Sequence, residues 1–292
     1  MTVQAAAAGF RTERGLVFAE PDGRRLKMTL YIPRDDADAP DTLRPGMVLI
    51  HGGGWAIGTR YQQAWYCRQF ARSGYVVMTI DYRMMPKYPF PNCLHDCKAA
   101  VRWLRLNAEQ WRVDPQRIVT FGASAGGHLA AFLATTGPEH GFEGDQNPGA
   151  SSAVSAAVSL YGAVDLTQYR DKKRDGLFAR RGRRFLRAFV GEDDPNTVMD
   201  AFETASPISY VSPASCPMLF VHGTSDMVVP FSMSERFHER LKEQGVPTRL
   251  IPAPGRNHGF DYVHMRQRRA LFQEMLAFLE EHDRPTERAA EE

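Results

Sequence analysis

Gly122-Ala123-Ser124-Ala125-Gly126 sets a serine among small residues, and attack on a carbonyl carbon needs a hydroxyl raised on a tight turn. Bulky neighbours would stop the backbone from turning that sharply, so glycine and alanine are the expected flanks. Ile118–Phe121 ahead of it reads as a strand and Ala125–Thr135 behind it as a helix, whose N-terminus favours developing negative charge. A second candidate is His51-Gly52-Gly53-Gly54-Trp55. Three successive glycines free the backbone to aim N–H groups at an oxyanion, in company with the N–H of Ala125. Either pattern alone also describes an ordinary small-residue loop. Together, each behind a core strand, they argue for acyl chemistry.

A serine hydroxyl needs a base, and the base needs an orienting acid. For a nucleophile on a strand-to-helix turn of this kind the chain order is Ser, then Asp or Glu, then His. His222-Gly223-Thr224-Ser225-Asp226 leaves a strand at Met218–Val221, and Asn257-His258-Gly259-Phe260 follows a strand at Thr248–Pro252. We therefore expect Asp226 to fix the tautomer of His258, and His258 to take the proton of Ser124 and return it to the leaving alcohol. Activity should then fall at acid pH as His258 becomes protonated. The rival histidines are less suited: His128 lies inside the helix after the serine, His222 precedes a tight turn, and His264 sits on a helix. Asp193 and Asp194 are weaker substitutes for Asp226. Trp55, Tyr161, Met227 and Val228 flank the same strand ends and are candidates to wall a substrate pocket, with a core role as the alternative.

The remaining elements must bring these segments to one edge. Gly15–Glu20 and Arg25–Pro33 read as two strands joined at Asp22-Gly23, a hairpin signal. Apolar runs at Met47–Ile50, Tyr75–Asp81 and Val154–Tyr161 join the strands already named. Helical patterns fall at Tyr61–Ser73, Asn92–Trp111, Met233–Gln244 and Asp261–Glu280. Strands alternating with helices imply an α/β protein, with a mostly parallel sheet of about eight strands covered on both faces. The reading is of a single domain over 1–292, with 1–13 and 283–292 as flexible tails.

Asp165–Ser206 is far longer than a usual crossover loop of ~2–6 residues. Between Arg170 and Arg187 it holds nine Lys or Arg against Asp171 and Asp175. A solvated helical insertion is one reading. The other is a lid whose positive field favours anionic substrates, since such sheets bind ligands at their strand ends.

Bulk properties restrict the partners. A net charge of +2 over 292 residues is too balanced to suggest nucleic acid. No apolar run approaches the ~18 residues of a membrane span, and the opening residues lack a secretory pattern. The expectation is a soluble, cytoplasmic monomer or homodimer acting on a small-molecule ester without membrane partners. No metal or organic cofactor is implied, and the four cysteines read as free thiols.

These motifs resemble the α/β-hydrolase superfamily over about Gly15 to Glu280. The glycine run and the stretch Asp81-Tyr82-Arg83-Met84-Met85-Pro86-Lys87-Tyr88-Pro89-Phe90-Pro91, with Asp96 following, are similar to hormone-sensitive-lipase-like carboxylesterases. Gly126-Gly127-His128-Leu129 and the segment ending at Asp226 look closer to bacterial acetylxylan/feruloyl esterases. The resemblance implies Gly53, Gly54 and Ala125 as oxyanion donors and esters of short acyl chains or acetylated sugars as substrates. Two departures stand out: the lipase-like relatives carry an acid where this chain has Ala123, and a helical cap ahead of the glycine motif, which this lead-in lacks. The rival functions are a peptidase or amidase of the prolyl oligopeptidase type and a non-catalytic ligand-binding protein.

Overall fold

The structure, a computed structural model, describes residues 9–34, 42–170, 177–194 and 196–283. β1 (Phe10–Ala19) turns through Pro21–Gly23 into β2 (Leu26–Pro33), the expected hairpin. β1 starts earlier than predicted because Phe10 to Arg14 pair with Pro33 to Thr29; that pairing, not local composition, recruits a polar stretch into the strand. β3 (Arg44–Ile50), α1 (Ala64–Arg72) and β4 (Val76–Ile80) follow, then α2 (Asn92–Leu106) and α3 (Ala108–Trp111). The single helix expected there breaks because Asn107 leaves helical geometry.

β5 (Val113–Ala123) leads into α4 (Ala125–Thr135), and β6 (Ala156–Leu160) leads into the long insertion. The insertion carries α5 (Leu177–Val190) and α6 (Val198–Thr204). Of its basic side chains only Arg184 and Arg187 are described; those of Arg170, Lys172, Lys173, Arg174, Arg180, Arg181 and Arg183 lie outside, with Asp171 and Asp175. β7 (Met218–Gly223), α7 (Phe231–Glu243), β8 (Thr248–Ala253), α8 (Phe260–Val263) and α9 (Met265–His282) complete the order.

The strands form one sheet, β1-β2-β4-β3-β5-β6-β7-β8, antiparallel at β1, β2 and β4 and parallel from β4 to β8. Its faces differ by residue parity. In β3, Met47 and Leu49 join a core with Phe70 of α1 and Phe272 and Met275 of α9. Val48 and Ile50 face the other way, toward Leu94 and Val101 of α2 and Leu129 and Phe132 of α4. A strand buried on both sides needs helices on both sides, which explains its unbroken apolar run. After β3 the chain runs outward to β4 and then returns to β5 on β3's other flank. That reversal opens a crevice at the carboxyl ends of β3 and β5, the usual ligand position in such sheets.

Both expected tails are shorter than 1–13 and 283–292: residues 10–13 lie in β1, held by its pairing with β2. Asp283, expected in a tail, is buried, accepts a hydrogen bond from Ser155 Oγ (2.8 Å) and pairs with Arg117 (3.0 Å). Residues 1–8 and 284–292 lie outside the described ones. All four cysteines are buried free thiols. Among the described residues, no helix is long and apolar enough to cross a membrane.

Candidate active site

Ser124 sits between β5 and α4 with φ +56° and ψ −120°, a left-handed, strained geometry for a residue with a side chain. The turn closes because Gly126 lies against β3: a Cβ there would come within 2.1 Å of the Ile50 carbonyl. The Ser124 amide is fixed by the Leu160 carbonyl at 2.8 Å. Strain is thus imposed by two neighbouring strands.

Ser124 Oγ lies 2.9 Å from Nε2 of His258, whose Nδ1 lies 2.7 Å from Oδ2 of Asp226. The Asp226 carboxylate can only accept, so Nδ1 carries the hydrogen and Nε2 is left to accept from the serine. The three residues come from the ends of β5, β7 and β8. The Asp226 side chain is fully buried. Burial would push its carboxyl up, but hydrogen bonds from His222 and His258 and from the Val229 amide outweigh it and hold the group well below the usual carboxylate range. An acid held ionised beside an imidazole favours the imidazolium that forms when the serine loses its proton.

The glycine loop runs beside the nucleophile. The His51 ring bonds through Nδ1 to the Gly52 carbonyl at 2.7 Å. In a trans peptide the N–H points opposite to the C=O, so the Gly53 N–H is turned away from His51. The Gly53 carbonyl likewise accepts from Ala56 and Ile57 (3.2 and 3.1 Å), and the Ser124 carbonyl from His128 at 3.0 Å. Each anchored carbonyl therefore frees the following N–H of Gly53, Gly54 or Ala125 for a ligand. Asp81–Pro91 braces this loop: Tyr82 stacks on His51 (4.3 Å) and donates to its carbonyl, and the Met85 N–H bonds to the Trp55 carbonyl at 2.9 Å. Arg83 in turn pairs with buried Asp96 at 2.8 Å.

The four expected pocket residues divide. Met227 and Val228 are 86% and 59% exposed on the rim beside Asp226. Trp55 and Tyr161 are buried, so they support the site from behind. Tyr161 packs its ring against His258 (centroids 4.7 Å) and donates to Asp261 at 2.6 Å. Both lie where apolar surface is covered by later parts of the chain, which no local pattern reveals.

Sequence reasoning passed over three supports. His222 is within 3.3 Å of Asp226 and bonded to Val229 and Ser234. Asn257 Oδ1 accepts from the amides of Met227 and His258, tying the acid and base loops together. Phe185 of α5 reaches over Gly54, where an added Cβ would lie 2.8 Å from its ring. Asn257 was legible as the neighbour of the base and His222 lies only four residues before the acid; Phe185 depends on a contact across the fold. A separate cavity of about 340 Å³, lined by Arg11, Arg34, Arg44 and Arg112 among others, lies at the far end of the strands, where β3 begins, and takes no part in this geometry.

The BD-FAE family model matches residues 28–241. The chain is 30% identical to esterase LipC of Mycobacterium tuberculosis over 77% of its length and 55% of that protein. It is 26% identical to the isoprenylcysteine alpha-carbonyl methylesterase ICME of Arabidopsis thaliana, covering 85% of this chain and 56% of the other. The chain thus spans little more than half the length of these curated relatives. Among solved structures, the butyrate-bound esterase Est2 of Thermogutta terrifontis superposes with a TM-score of 0.75 at 29% identity, covering 94% of this chain and 95% of the other. Est2 is also similar in its propionate-bound form, with a TM-score of 0.72.

Proposed function

The chain belongs to the BD-FAE family, and from that membership we propose that it is a serine carboxylesterase acting on small esters of short acyl chains. The observation that carries this reading is the linear relay from Ser124 Oγ through His258 to Asp226, at 2.9 and 2.7 Å, beside the backbone N–H groups of Gly53, Gly54 and Ala125, which donate to no partner among the described residues.

In the proposed reaction Ser124 Oγ attacks the ester carbonyl carbon while its proton passes to His258 Nε2. The N–H groups of Gly53, Gly54 and Ala125 receive the negative oxygen of the tetrahedral intermediate. Collapse breaks the bond to the alcohol oxygen, which takes the proton from His258, and leaves an acyl-Ser124 ester. Water, deprotonated by His258, attacks that ester; the acid leaves and Ser124 regains its hydrogen. Asp226 stays ionised and holds the imidazole throughout.

The short-acyl preference is supported by the relative that binds butyrate and propionate and by the Phe185 ring, which narrows the space above Gly54. Four free buried thiols suit a reducing compartment, and we assign the enzyme to the cytoplasm. The test is labelling with a fluorophosphonate probe, together with hydrolysis of p-nitrophenyl acetate and aminoacyl p-nitroanilides. Labelling of the wild type that vanishes in Ser124→Ala, with acetate cleaved faster than anilides, is expected. An unlabelled wild type, or faster anilide cleavage, would overturn the assignment.

A further inference from the structure

Three glycines in a row make the oxyanion loop costly to hold in one shape, because glycine loses more backbone freedom on ordering than other residues. Something outside the loop must hold it. Trp55 is the first large side chain after the glycines, and its backbone takes φ +57°. Its ring stacks on Phe189 of α5, centroids 3.9 Å apart and planes 18° apart. Its Nε1–H donates to His128 Nδ1 at 3.2 Å, and His128 Nε2 bonds to the Ala205 carbonyl, just past α6, at 2.9 Å.

That arrangement fixes the tautomer. The Ala205 carbonyl can only accept and the indole can only donate, so Nε2 carries the hydrogen and Nδ1 is bare. His128 is fully buried and belongs to α4, whose first residues are Ala125 and the turn that holds Ser124. One rigid helix therefore carries the Ala125 donor and the nucleophile, and through His128 it grips the loop with the Gly53 and Gly54 donors. The insertion helices press on the same indole. Burial lowers the His128 pKa to about 4, which keeps the required neutral form across the working range.

We propose that His128 and Trp55 are positioning residues that set the oxyanion donors of the glycine loop against that of Ala125, with Phe189 of α5 and the Ala205 carbonyl as a fixed buttress. Neither side chain touches the reacting atoms. The proposal rests on the esterase reading above, and wild-type labelling and hydrolysis test that reading separately.

The experiment compares Trp55→Phe, which keeps an aromatic ring beside Phe189 but loses the N–H together with the second ring of the indole, with His128→Leu, His128→Gln and the Trp55→Phe/His128→Leu double variant. Steady-state rates on p-nitrophenyl acetate are normalised to fluorophosphonate-titrated sites. Inhibition by a trifluoromethyl ketone, which forms a tetrahedral adduct with an oxyanion, is measured alongside. Losing one donor outright costs roughly 100- to 1000-fold, so a displaced loop should cost Trp55→Phe about tenfold in kcat with KM little changed. Ketone affinity should weaken by the same factor. The double variant should be no worse than His128→Leu, because both changes cut one link. Glutamine offers one acceptor and one donor and should recover part of the loss. If labelled, active Trp55→Phe keeps kcat and ketone affinity within about twofold of wild type, the proposal is wrong even if thermal stability falls; that variant decides the matter should His128→Leu fail to fold.

Discussion

Replacing Gly53 with alanine separates the oxyanion loop from the rest of the machinery. Gly53 has φ +116°, and a Cβ built there would lie 1.9 Å from the Ile57 carbonyl oxygen and 2.7 Å from its carbon. Both obstacles are backbone, so no side-chain rotation relieves them. The backbone conformation alone costs an L-residue ~1–3 kcal/mol. Clearing the overlap requires the turn from Gly53 to Ile57 to open by roughly 1 Å or more, since non-bonded carbon and oxygen normally approach to about 3.3 Å or beyond. The Gly53 and Gly54 N–H groups move with that turn. Misplacing one such donor costs ~2.7–4 kcal/mol, about 100- to 1000-fold in kcat. The assay is p-nitrophenyl acetate hydrolysis per active site, with Ser124 to His258 geometry left intact. Gly245→Ala is the control: its φ is +73°, but nothing lies within 4 Å of an added Cβ, so about 1 kcal/mol of stability and no activity should be lost. A Gly53→Ala enzyme within about threefold of wild type would refute the reasoning from anchored carbonyls to donor positions.

Asp226→Asn should lower kcat by about four orders of magnitude with little change in KM, because an amide at Oδ2 can donate to His258 and invite the wrong tautomer; single-turnover kinetics check this. His128 is held neutral in the fold, with a pKa near 4, against an ordinary 6.5. Between those values the unfolded chain binds the extra proton, so this group makes stability fall by about 3 kcal/mol as the pH drops from 6.5 to 4. His128→Leu should flatten the acid slope of stability in urea unfolding at pH 7, 5.5 and 4.5; an unchanged slope would contradict the assignment. Glu143→Ala should destabilise by ~1–3 kcal/mol in the same unfolding assay, since it removes a carboxylate that accepts from both the buried Lys98 ammonium and Arg102 while their bonds to Thr136, Ser152 and Gln146 remain. Phe185→Ala should raise the rate on longer acyl esters relative to acetate, read from a series of p-nitrophenyl esters, because it removes the ring above Gly54.

Local order carried most of what the sequence determined. Small residues around Ser124, the glycine run behind β3, and Asp226 and His258 behind two later strands each need only a strand, a turn and a helix in succession. A parallel sheet with short connections brings those turns to one edge, so the candidate site was legible before any packing was known. Alternating apolar runs gave the doubly covered sheet for the same reason. Tertiary structure alone decided the roles of the buried polar groups. His128 and His222 look like spare histidines, yet one joins Trp55 to Ala205 and the other supports Asp226. For Trp55 and Tyr161 the sequence left a pocket wall and a core role open, and burial against Phe189, His258 and Asp261 favours the core role. The partners of Trp55, His128 and Tyr161 lie many tens of residues away, and a hydrogen bond or ring stack between distant segments leaves no periodicity in either; His222 is only four residues from Asp226, but the turn that brings them together is not visible in their spacing. The strained turn at Ser124 is shared between both levels: its residues permit the geometry, and neighbouring strands impose it.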